Sequence, residues 1–514
     1  MEAILGGIQI LMSWQVLVAL LIGSVGGVII GAIPGVGAAV AIAILLPATF
    51  AFEPIVGLTV LLGIYGSAMY GGSIPAILLN TPGTPVNALT TYDGYPMTKR
   101  GQAHRALSLA YSASFFGGVF AIICLILFAP VLAWVAPNFG SREIFLAALL
   151  GIILVILAHR GQIMAAGMMA FLGIFLSTIG LEPARYTHRF TFGQGWLTSG
   201  INLIVIVLGL FAISQALLLL LDKERKPESA RVEGSLWGGF VELLGLKRVA
   251  GVASSLGVMM GTIPGVGEFT AQFLSYTYAQ KTSKDPEAFG DGSPEGLVAS
   301  ECANNAVPAA AMIPLLALGV PGEALTAMML SVFYVHNVIP GPQLFQNELD
   351  FVMALYMAML LLNVIVIVFL LSSTNLLLKI TQIPTRFLGM MILVLSFVGV
   401  YSLRNSAVDC ALAAGFGVFG LILKRLNLPI VPIVLGVVLG AIMEVKLRSA
   451  IARINEPLDW FNRPISVVLI LLLLFVVGNH YRAVLLEHRQ RVQRAADGEL
   501  KGREGEAPVA PEGF

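Results

Sequence analysis

The chain has 514 residues, of which 57% are hydrophobic and only 11% charged, and its net charge is +1. Soluble domains carry about 25% charged residues, so this composition excludes a soluble enzyme with a single membrane anchor. No basic tract or interleaving of aromatic and basic residues indicates nucleic-acid binding. The three cysteines lie far apart and match no disulfide or metal-ligand spacing. From the composition we expect a protein embedded in the lipid bilayer, and we expect no cofactor.

Long apolar runs follow one another along most of the chain. A membrane-spanning helix needs about 20 predominantly apolar residues. The clear candidates are residues 107–134, 144–157, 163–179, 201–221, 351–378, 387–403, 407–423, 429–443 and 465–477. Together with shorter, interrupted segments they predict an all-α polytopic membrane protein with about 11–12 transmembrane segments.

One helix-breaking heptapeptide occurs twice. GAIPGVG at residues 31–37 returns as GTIPGVG at residues 261–267, and each lies between two short apolar pieces. A second pair follows in the same order, IPAILLNTPG at residues 74–83 and IPLLALGVPG at residues 313–322. We interpret the pattern as a duplication with re-entrant or broken helical hairpins around residues 31–50, 70–87, 261–278 and 301–330. The expected hinge residues are Pro34, Gly35, Gly37, Pro264, Gly265 and Gly267.

Charge predicts that the two copies are inverted, because cytoplasmic loops collect Lys and Arg. Lys99, Arg100 and Arg105 follow the first Pro-Gly turn, whereas residues 338–350 after the second contain no basic residue. Residues 222–248 carry six Lys or Arg and are predicted to form a cytoplasmic linker. The expected organisation is a first membrane repeat at 1–221, this linker, a second repeat at 249–479, and a disordered polar tail at 480–514.

The first Pro-Gly turn is rich in neutral polar groups suited to reversible binding of a carboxylate or an ion. Interrupted helices of paired repeats bind substrate and coupling ion in secondary transporters. The predicted binding residues of this turn are Asn80, Thr81, Pro82, Gly83, Thr84 and Asn87, with Thr90 and Thr91 close behind. Those of the second turn are Gly319, Pro321, Gly322, Glu323 and Thr326. A Na⁺ ion is predicted near residues 80–84 and 319–323.

Four further residues have more than one interpretation. Asn304 and Asn305 either bind substrate, or serve in packing or in capping the start of a membrane helix. Glu268 stands where the first copy has Ala38, and a carboxylate there is either a loop group or a functional one. Asp93 in TYDGYP is assigned to the basic side as a turn or gating residue.

Residues 65–103, YGSAMYGGSIPAILLNTPGTPVNALTTYDGYPMTKRGQA, resemble the first signature of the large membrane subunit (TctA-type) of the tripartite tricarboxylate transporters. Residues 278–306, followed by LGVPG, resemble the second signature. The likeness runs from about residue 15 to about residue 480. It adds Tyr70, Ser73 and Tyr95 to the functional residues: Ser73 as a binding residue, and Tyr70 and Tyr95, with Asp93 and Glu268, as gating or turn residues. Two residues depart from the family pattern: the family usually has a small residue at the position of Glu268 and Pro at the position of Ser300.

The resemblance implies a subunit of a secondary transporter in the bacterial inner membrane. Such subunits work with a small four-helix membrane subunit and a periplasmic solute-binding protein, and import carboxylates with a cation gradient of Na⁺ or H⁺. We therefore expect an elevator-like or rocking carrier and no enzymatic activity. The alternatives are a passive channel and a membrane-embedded hydrolase that would use Asp93 and Asp409.

Overall fold

The computed structural model describes residues 2–159, 161–182, 186–221, 236–380, 383–453 and 456–482. Within these ranges the secondary structure is almost entirely helical, and the strands β1 (Gly180–Leu181) and β2 (His188–Arg189) form one short antiparallel pair. Ten described helices are long and apolar enough to cross a membrane, or eleven if one sharply bent pair counts as a span. The prediction of an all-α polytopic membrane protein is confirmed. The predicted number of about 11–12 transmembrane segments is slightly larger than the ten or eleven candidate spans among the described residues. Four further apolar helices there are too short to cross a membrane alone.

The described residues of the first half form ten α-helices, two of which join into one span through a π-helical turn at Leu208–Ile213. The helices are α1 (Glu2–Leu11), α2 (Trp14–Gly31), α3 (Gly37–Thr49), α4 (Pro54–Leu79), α5 (Thr90–Lys99), α6 (Ala103–Val135), α7 (Ser141–Ala158), α8 (Ile163–Ser177), α9 (Leu203–Val207) and α10 (Ser214–Leu221).

Where the structure describes the second half, it contains eleven α-helices, and the first two meet at a bend of 88°. The helices are α11 (Gly238–Gly245), α12 (Lys247–Gly261), α13 (Gly267–Thr282), α14 (Pro294–Leu318), α15 (Ala324–Val335), α16 (Pro342–Asn347), α17 (Leu349–Ile380), α18 (Thr385–Arg404), α19 (Ala407–Arg425), α20 (Val431–Ile451) and α21 (Pro464–Arg482). Of the predicted linker, residues 222–235 lie outside the described residues, as does the tail from residue 483 onward.

The two heptapeptides have nearly the same backbone conformation. The φ angles of Gly35 and Gly37 are 82° and 68°, and those of Gly265 and Gly267 are 83° and 70°. An L side chain rarely adopts such angles, whereas glycine adopts them freely. Each heptapeptide therefore ends one helix and starts the next through the same glycine-dependent turn, as the repeated sequence predicts.

Small residues allow the helices of each half to pack closely. A Cβ added to Gly31 of α2 would lie 2.9 Å from the Ala68 Cα of α4. A Cβ added to Gly261 of α12 would lie 3.1 Å from the Val307 Cα of α14. Such close approach is typical of helix packing within membranes.

Helices α4 and α14 form the centre of the molecule. In the most apolar 18-residue stretch of each of these helices, 94% is buried, whereas in the corresponding stretch of α21 only 6% is buried. Helix α14 packs against α6, α12 and α13, and α4 packs against α2, α3 and α17. The two helices that lead into the Pro-Gly turns are therefore enclosed by protein rather than lipid, which is where irregular backbone can be tolerated.

Candidate functional site

In each half, the heptapeptide and the Pro-Gly turn are joined by an equivalent backbone hydrogen bond. Gly35 donates its N–H to the carbonyl of Gly83 at 3.0 Å, and Gly265 donates its N–H to the carbonyl of Gly322 at 2.6 Å. Unpaired backbone groups are costly within a bilayer. Each of these bonds satisfies one N–H group of a heptapeptide and one carbonyl group of the Pro-Gly turn in the same half. The four interrupted segments are thus joined two by two.

The first Pro-Gly turn begins where α4 ends. Asn80 terminates α4 in the left-handed conformation with a φ of 53°, and its side chain is exposed. Thr81 and Pro82 are half-buried, and Gly83 and Thr84 are buried.

Behind this turn, Asn87 is held by a short network. Thr84 Oγ1 donates to Asn87 Oδ1 at 2.5 Å, and Asn87 Nδ2 donates to the Met69 carbonyl at 3.1 Å. Ser73, in α4, is buried and donates to the Tyr70 carbonyl at 2.7 Å. The structure therefore gathers most of the predicted first-turn residues, with the exposed Asn80 at the edge.

The second turn has the same backbone plan and a different side chain at its end. Gly319 ends α14 with a φ of 69°, and Val320 N–H bonds to the Pro314 carbonyl at 3.3 Å, as Thr81 N–H bonds to that of Pro75. Pro321 and Gly322 are buried.

Glu323 is the N-cap residue that precedes α15, and it is also buried. Its N–H donates to Thr326 Oγ1 at 3.0 Å, and its Oε1 has no hydrogen-bond partner among the described residues. The second turn thus contains a carboxyl group that the first turn lacks.

Asn304 and Asn305 lie in the middle of α14, so the interpretation that they cap a helix is wrong. The helix begins ten residues before Asn304 at Pro294, and its N-cap is Ser293, whose Oγ accepts the Gly296 N–H at 3.3 Å. Asn305 Nδ2 instead donates to Ser114 Oγ at 2.8 Å.

Asn304 and Gln272 belong to two helices, α14 and α13, that pack against each other. Ser275 Oγ of α13 donates to the Ala299 carbonyl of α14 at 2.9 Å. Gln272 precedes Ser275 by three residues on α13, and Asn304 follows Ala299 by five residues on α14. Both side chains are 0% exposed, and none of their four polar atoms has a partner among the described residues.

Unpaired amides of this kind are uncommon in native interiors. The turn at Pro85–Asn87 also packs against α13. This region of α13, α14 and the first Pro-Gly turn is therefore the strongest candidate for binding a polar ligand.

Tyr70 is fixed rather than free. Its hydroxyl donates to Asn363 Oδ1 of α17 at 2.5 Å, and the side chain is fully buried. The bond connects α4 to a long helix of the second half. A gating role for Tyr70 stays a prediction.

Asp93 is buried in the first turn of α5 and contacts the second half of the chain. Its Oδ1 accepts three backbone N–H groups, from Gly290 at 2.9 Å, Gly292 at 3.0 Å and Ser293 at 2.7 Å. Burial raises the pKa of the Asp93 carboxyl, and these hydrogen bonds oppose that rise. Asp93 therefore connects α5 to the loop that precedes α14.

Of the two remaining residues predicted to act in gating or turns, Tyr95 is half-buried and Glu268 is buried. Lys99 Nζ lies 4.9 Å from the centre of the half-buried Tyr95 ring. Glu268 is the second residue of α13, so the loop interpretation is wrong. It is 6% exposed, and its Oε1 has no partner among the described residues.

Sequence reasoning missed Gln272, Ser114 and Asn363. Asn363 is a single polar residue within an apolar run, which is a usable signal because polar groups inside a membrane are costly, whereas Gln272 and Ser114 stand among other polar residues. The described residues contain no group of three or more His, Cys, Asp or Glu that could hold a metal ion.

Buried helix breaks, paired by backbone bonds and lined by neutral polar groups, within a bundle of long apolar helices, define a membrane transport protein. The chain belongs to the tripartite tricarboxylate transporter TctA family, whose model matches residues 17–435. It is thus a membrane component of tricarboxylate transport.

Two relatives come from Agrobacterium vitis. One, described as an uncharacterized 52.8 kDa protein in the TAR-I ttuC' 3'region, is 35% identical over 453 residues, which cover 87% of this chain and 90% of the relative. The other, described as an uncharacterized protein in the TAR-II ttuC' 3'region, is 32% identical over 194 residues, 38% of this chain and 80% of the relative. No solved structure matches.

Proposed function

We propose that the chain is the large permease subunit of a binding-protein-dependent secondary transporter that imports a tricarboxylate or related organic acid. The observation that carries this proposal is the pair of equivalent bonds, Gly35 to Gly83 and Gly265 to Gly322. They bring the broken segments of each half together in a member of a transporter family. A cation gradient, of Na⁺ or H⁺, supplies the energy, and the chain itself has no catalytic role.

The substrate is bound between the two halves by neutral donors. The amide nitrogens of Asn304 and Gln272 are buried and unpaired among the described residues, and a carboxylate is a strong acceptor for such groups. The first-turn residues Thr81 and Thr84 and the second-turn residues Gly319–Gly322 complete the site. Neutral donors suit release as well as binding, because no fixed charge has to be separated from the substrate.

The two halves are inverted repeats that move relative to one another in an elevator-like or rocking motion. The duplicated backbone at the breaks supports the repeats, and the opposite charge bias of equivalent loops supports the inversion. The protein lies in the bacterial inner membrane, with a small four-helix subunit beside it and a periplasmic solute-binding protein that delivers substrate.

The test is uptake of labelled carboxylates into proteoliposomes that contain this chain, the small subunit and the solute-binding protein. The double variant Pro82→Ala, Gly83→Val should abolish uptake, because a Cβ at Gly83 would lie 2.1 Å from the Gly31 carbonyl oxygen. Gly251→Val is the control, since no heavy atom lies within 4 Å of a Cβ at that position. Full transport by the double variant contradicts the assigned site.

The same assay distinguishes a carrier from a channel. A carrier of this class requires the binding protein, and its uptake saturates with substrate. Uptake that needs neither the binding protein nor a cation gradient would favour the passive channel.

A further inference from the structure

The carboxyl group of Glu301 is bonded only by neutral groups. Thr90 Oγ1 donates to its Oε1 at 2.5 Å, and Ser114 Oγ donates to its Oε2 at 2.8 Å. Asn305 Nδ2 lies 3.3 Å from the same Oε2. Glu301 is 0% exposed and lies in α14, at the centre of the molecule.

No positive side chain balances this carboxyl among the described residues. The ion pairs of that part of the chain involve other acidic residues, namely Glu143, Glu182, Glu242, Asp291 and Glu444. A carboxylate buried without a counter-charge is costly, and more so within a membrane. A bound cation would remove that cost.

The surrounding atoms are those that a hard cation prefers. Thr90 and Ser114 each place a hydroxyl oxygen at the carboxyl group. Asn305 is held there through its Nδ2, and its Oδ1 has no partner among the described residues although the residue is only 4% exposed. Carboxylate, hydroxyl and amide oxygens bind hard cations, whereas softer metals favour nitrogen and sulfur.

We infer that Glu301, Thr90, Ser114 and Asn305 bind one Na⁺ ion. This inference rests on the proposed function and assigns its coupling cation to a place different from the two Pro-Gly turns. One carboxylate matches one monovalent charge, which agrees with the lack of a larger acidic cluster in the described residues.

The residues of this site come from both halves of the chain, whose movements a carrier has to couple. Thr90 begins α5 in the first half, Ser114 lies in α6, and Glu301 and Asn305 lie in α14 of the second half. Asn304, which directly precedes Asn305 on α14, belongs to the proposed substrate site. Bound Na⁺ therefore stabilises the joined arrangement of both halves, and substrate binding beside it is favoured by the same arrangement.

The test is the thermal unfolding of the purified full-length chain in nanodiscs, with NaCl against choline chloride at constant ionic strength. Na⁺ should raise the unfolding temperature in a saturable way, because a ligand that binds only the folded state stabilises it. Glu301→Gln should weaken the apparent Na⁺ affinity about 10- to 100-fold, the usual consequence of losing a charged partner. Thr90→Val and Ser114→Ala remove single oxygens and should weaken it less.

Glu143→Gln is the matched control. Glu143 is also fully buried, but its carboxylate accepts the Ser466 hydroxyl at 2.6 Å and the Gly140 N–H at 2.7 Å and lies beside Arg463. Its Na⁺-dependent shift should equal that of the unchanged chain. If Glu301→Gln does not fold, the Thr90 and Ser114 variants supply the same readout.

Three results of the unfolding assay would overturn the inference. They are no Na⁺-dependent shift in the unchanged chain, an undiminished shift in the Glu301, Thr90 and Ser114 variants, and a shift lost in Glu323→Gln but kept in Glu301→Gln, which would place the ion at the second turn. Carboxylate uptake driven by protons alone would also overturn it and leave the proposed function standing. Na⁺ binding through Glu301 without any carboxylate uptake would instead contradict the proposed function.

Discussion

Asp93 and Ser293 belong to different halves of the chain, yet the Asp93 carboxylate accepts the Ser293 backbone N–H at 2.7 Å. The same oxygen accepts the N–H groups of Gly290 and Gly292, so one side chain orders the loop that leads into α14. That helix contains Glu301, Asn304 and Asn305. The entry to the central helix of the second half is thus fixed by a residue of the first.

Asp93→Ala should destabilise the protein more than Asp93→Asn. Alanine leaves three backbone donors without their acceptor, and each buried unsatisfied group costs about 1–3 kcal/mol, whereas asparagine keeps one acceptor oxygen. The measurement is the unfolding temperature in detergent. Arg100→Gln is the control, since Arg100 forms an exposed ion pair with Asp291 in the same contact, and exposed pairs contribute little. Equal losses for both Asp93 variants would contradict this role.

The two heptapeptides should differ in their tolerance of alanine. Both Gly265 and Gly35 have positive φ angles, which cost a non-glycine residue about 1–3 kcal/mol. A Cβ at Gly265 would also lie 2.8 Å from the Val155 Cα, whereas one at Gly35 would meet only the Gln215 side chain at 3.3 Å. Gly265→Ala should therefore lower the unfolding temperature and the yield of folded protein more than Gly35→Ala. The reverse order would show that the second break does not pack against α7 as described.

Asn304→Ala and Gln272→Ala should each weaken substrate affinity. The loss of one hydrogen bond to a charged ligand costs about 1.5–3 kcal/mol, which corresponds to roughly a 10- to 100-fold rise in the substrate concentration for half-maximal uptake. The Na⁺-dependent thermal shift should be kept in both variants.

Asn347→Ala, at an exposed position, is the control for these two variants. An unchanged concentration dependence of uptake in both would exclude Asn304 and Gln272 from the substrate site.

Tyr70→Phe should reduce stability, because it leaves the buried Asn363 oxygen without the hydroxyl that donates to it at 2.5 Å. An unsatisfied buried acceptor costs about 1–3 kcal/mol. Tyr92→Phe is the comparison, because Tyr92 is an exposed aromatic residue and should change little. If Tyr70→Phe retains full stability but loses uptake, the hydroxyl acts in transport rather than in holding α4 to α17.

The repeated sequence predicted the repeated backbone well. Pro-Gly within an apolar run leaves few conformations, since proline removes a donor and glycine adopts positive φ angles. The same residues consequently turn the chain in the same way at Gly35 and at Gly265. Membrane character was equally accessible, because it depends on composition and the length of apolar runs.

The position of a polar residue along a helix was harder to predict. Asn304 and Asn305 begin no helix, because α14 starts ten residues earlier at a serine cap. A capping residue and a mid-helix residue look alike when the helix boundary is unknown. Gln272 was missed because other polar residues, such as Thr270 and Ser275, surround it in the sequence. Only the structure distinguishes it, as a buried amide without a partner among the described residues.

The sequence by itself determined the class of protein, the duplicated breaks and the neutral chemistry of the first turn, because these follow from local composition and backbone preference. Only the tertiary structure decided which groups meet: Thr90 with Glu301, 211 positions apart, Tyr70 with Asn363, 293 apart, and α13, which contains Gln272, with α14, which contains Asn304. Such pairings depend on helix register and rotation, which many distant packing contacts set together and which no short stretch of sequence encodes.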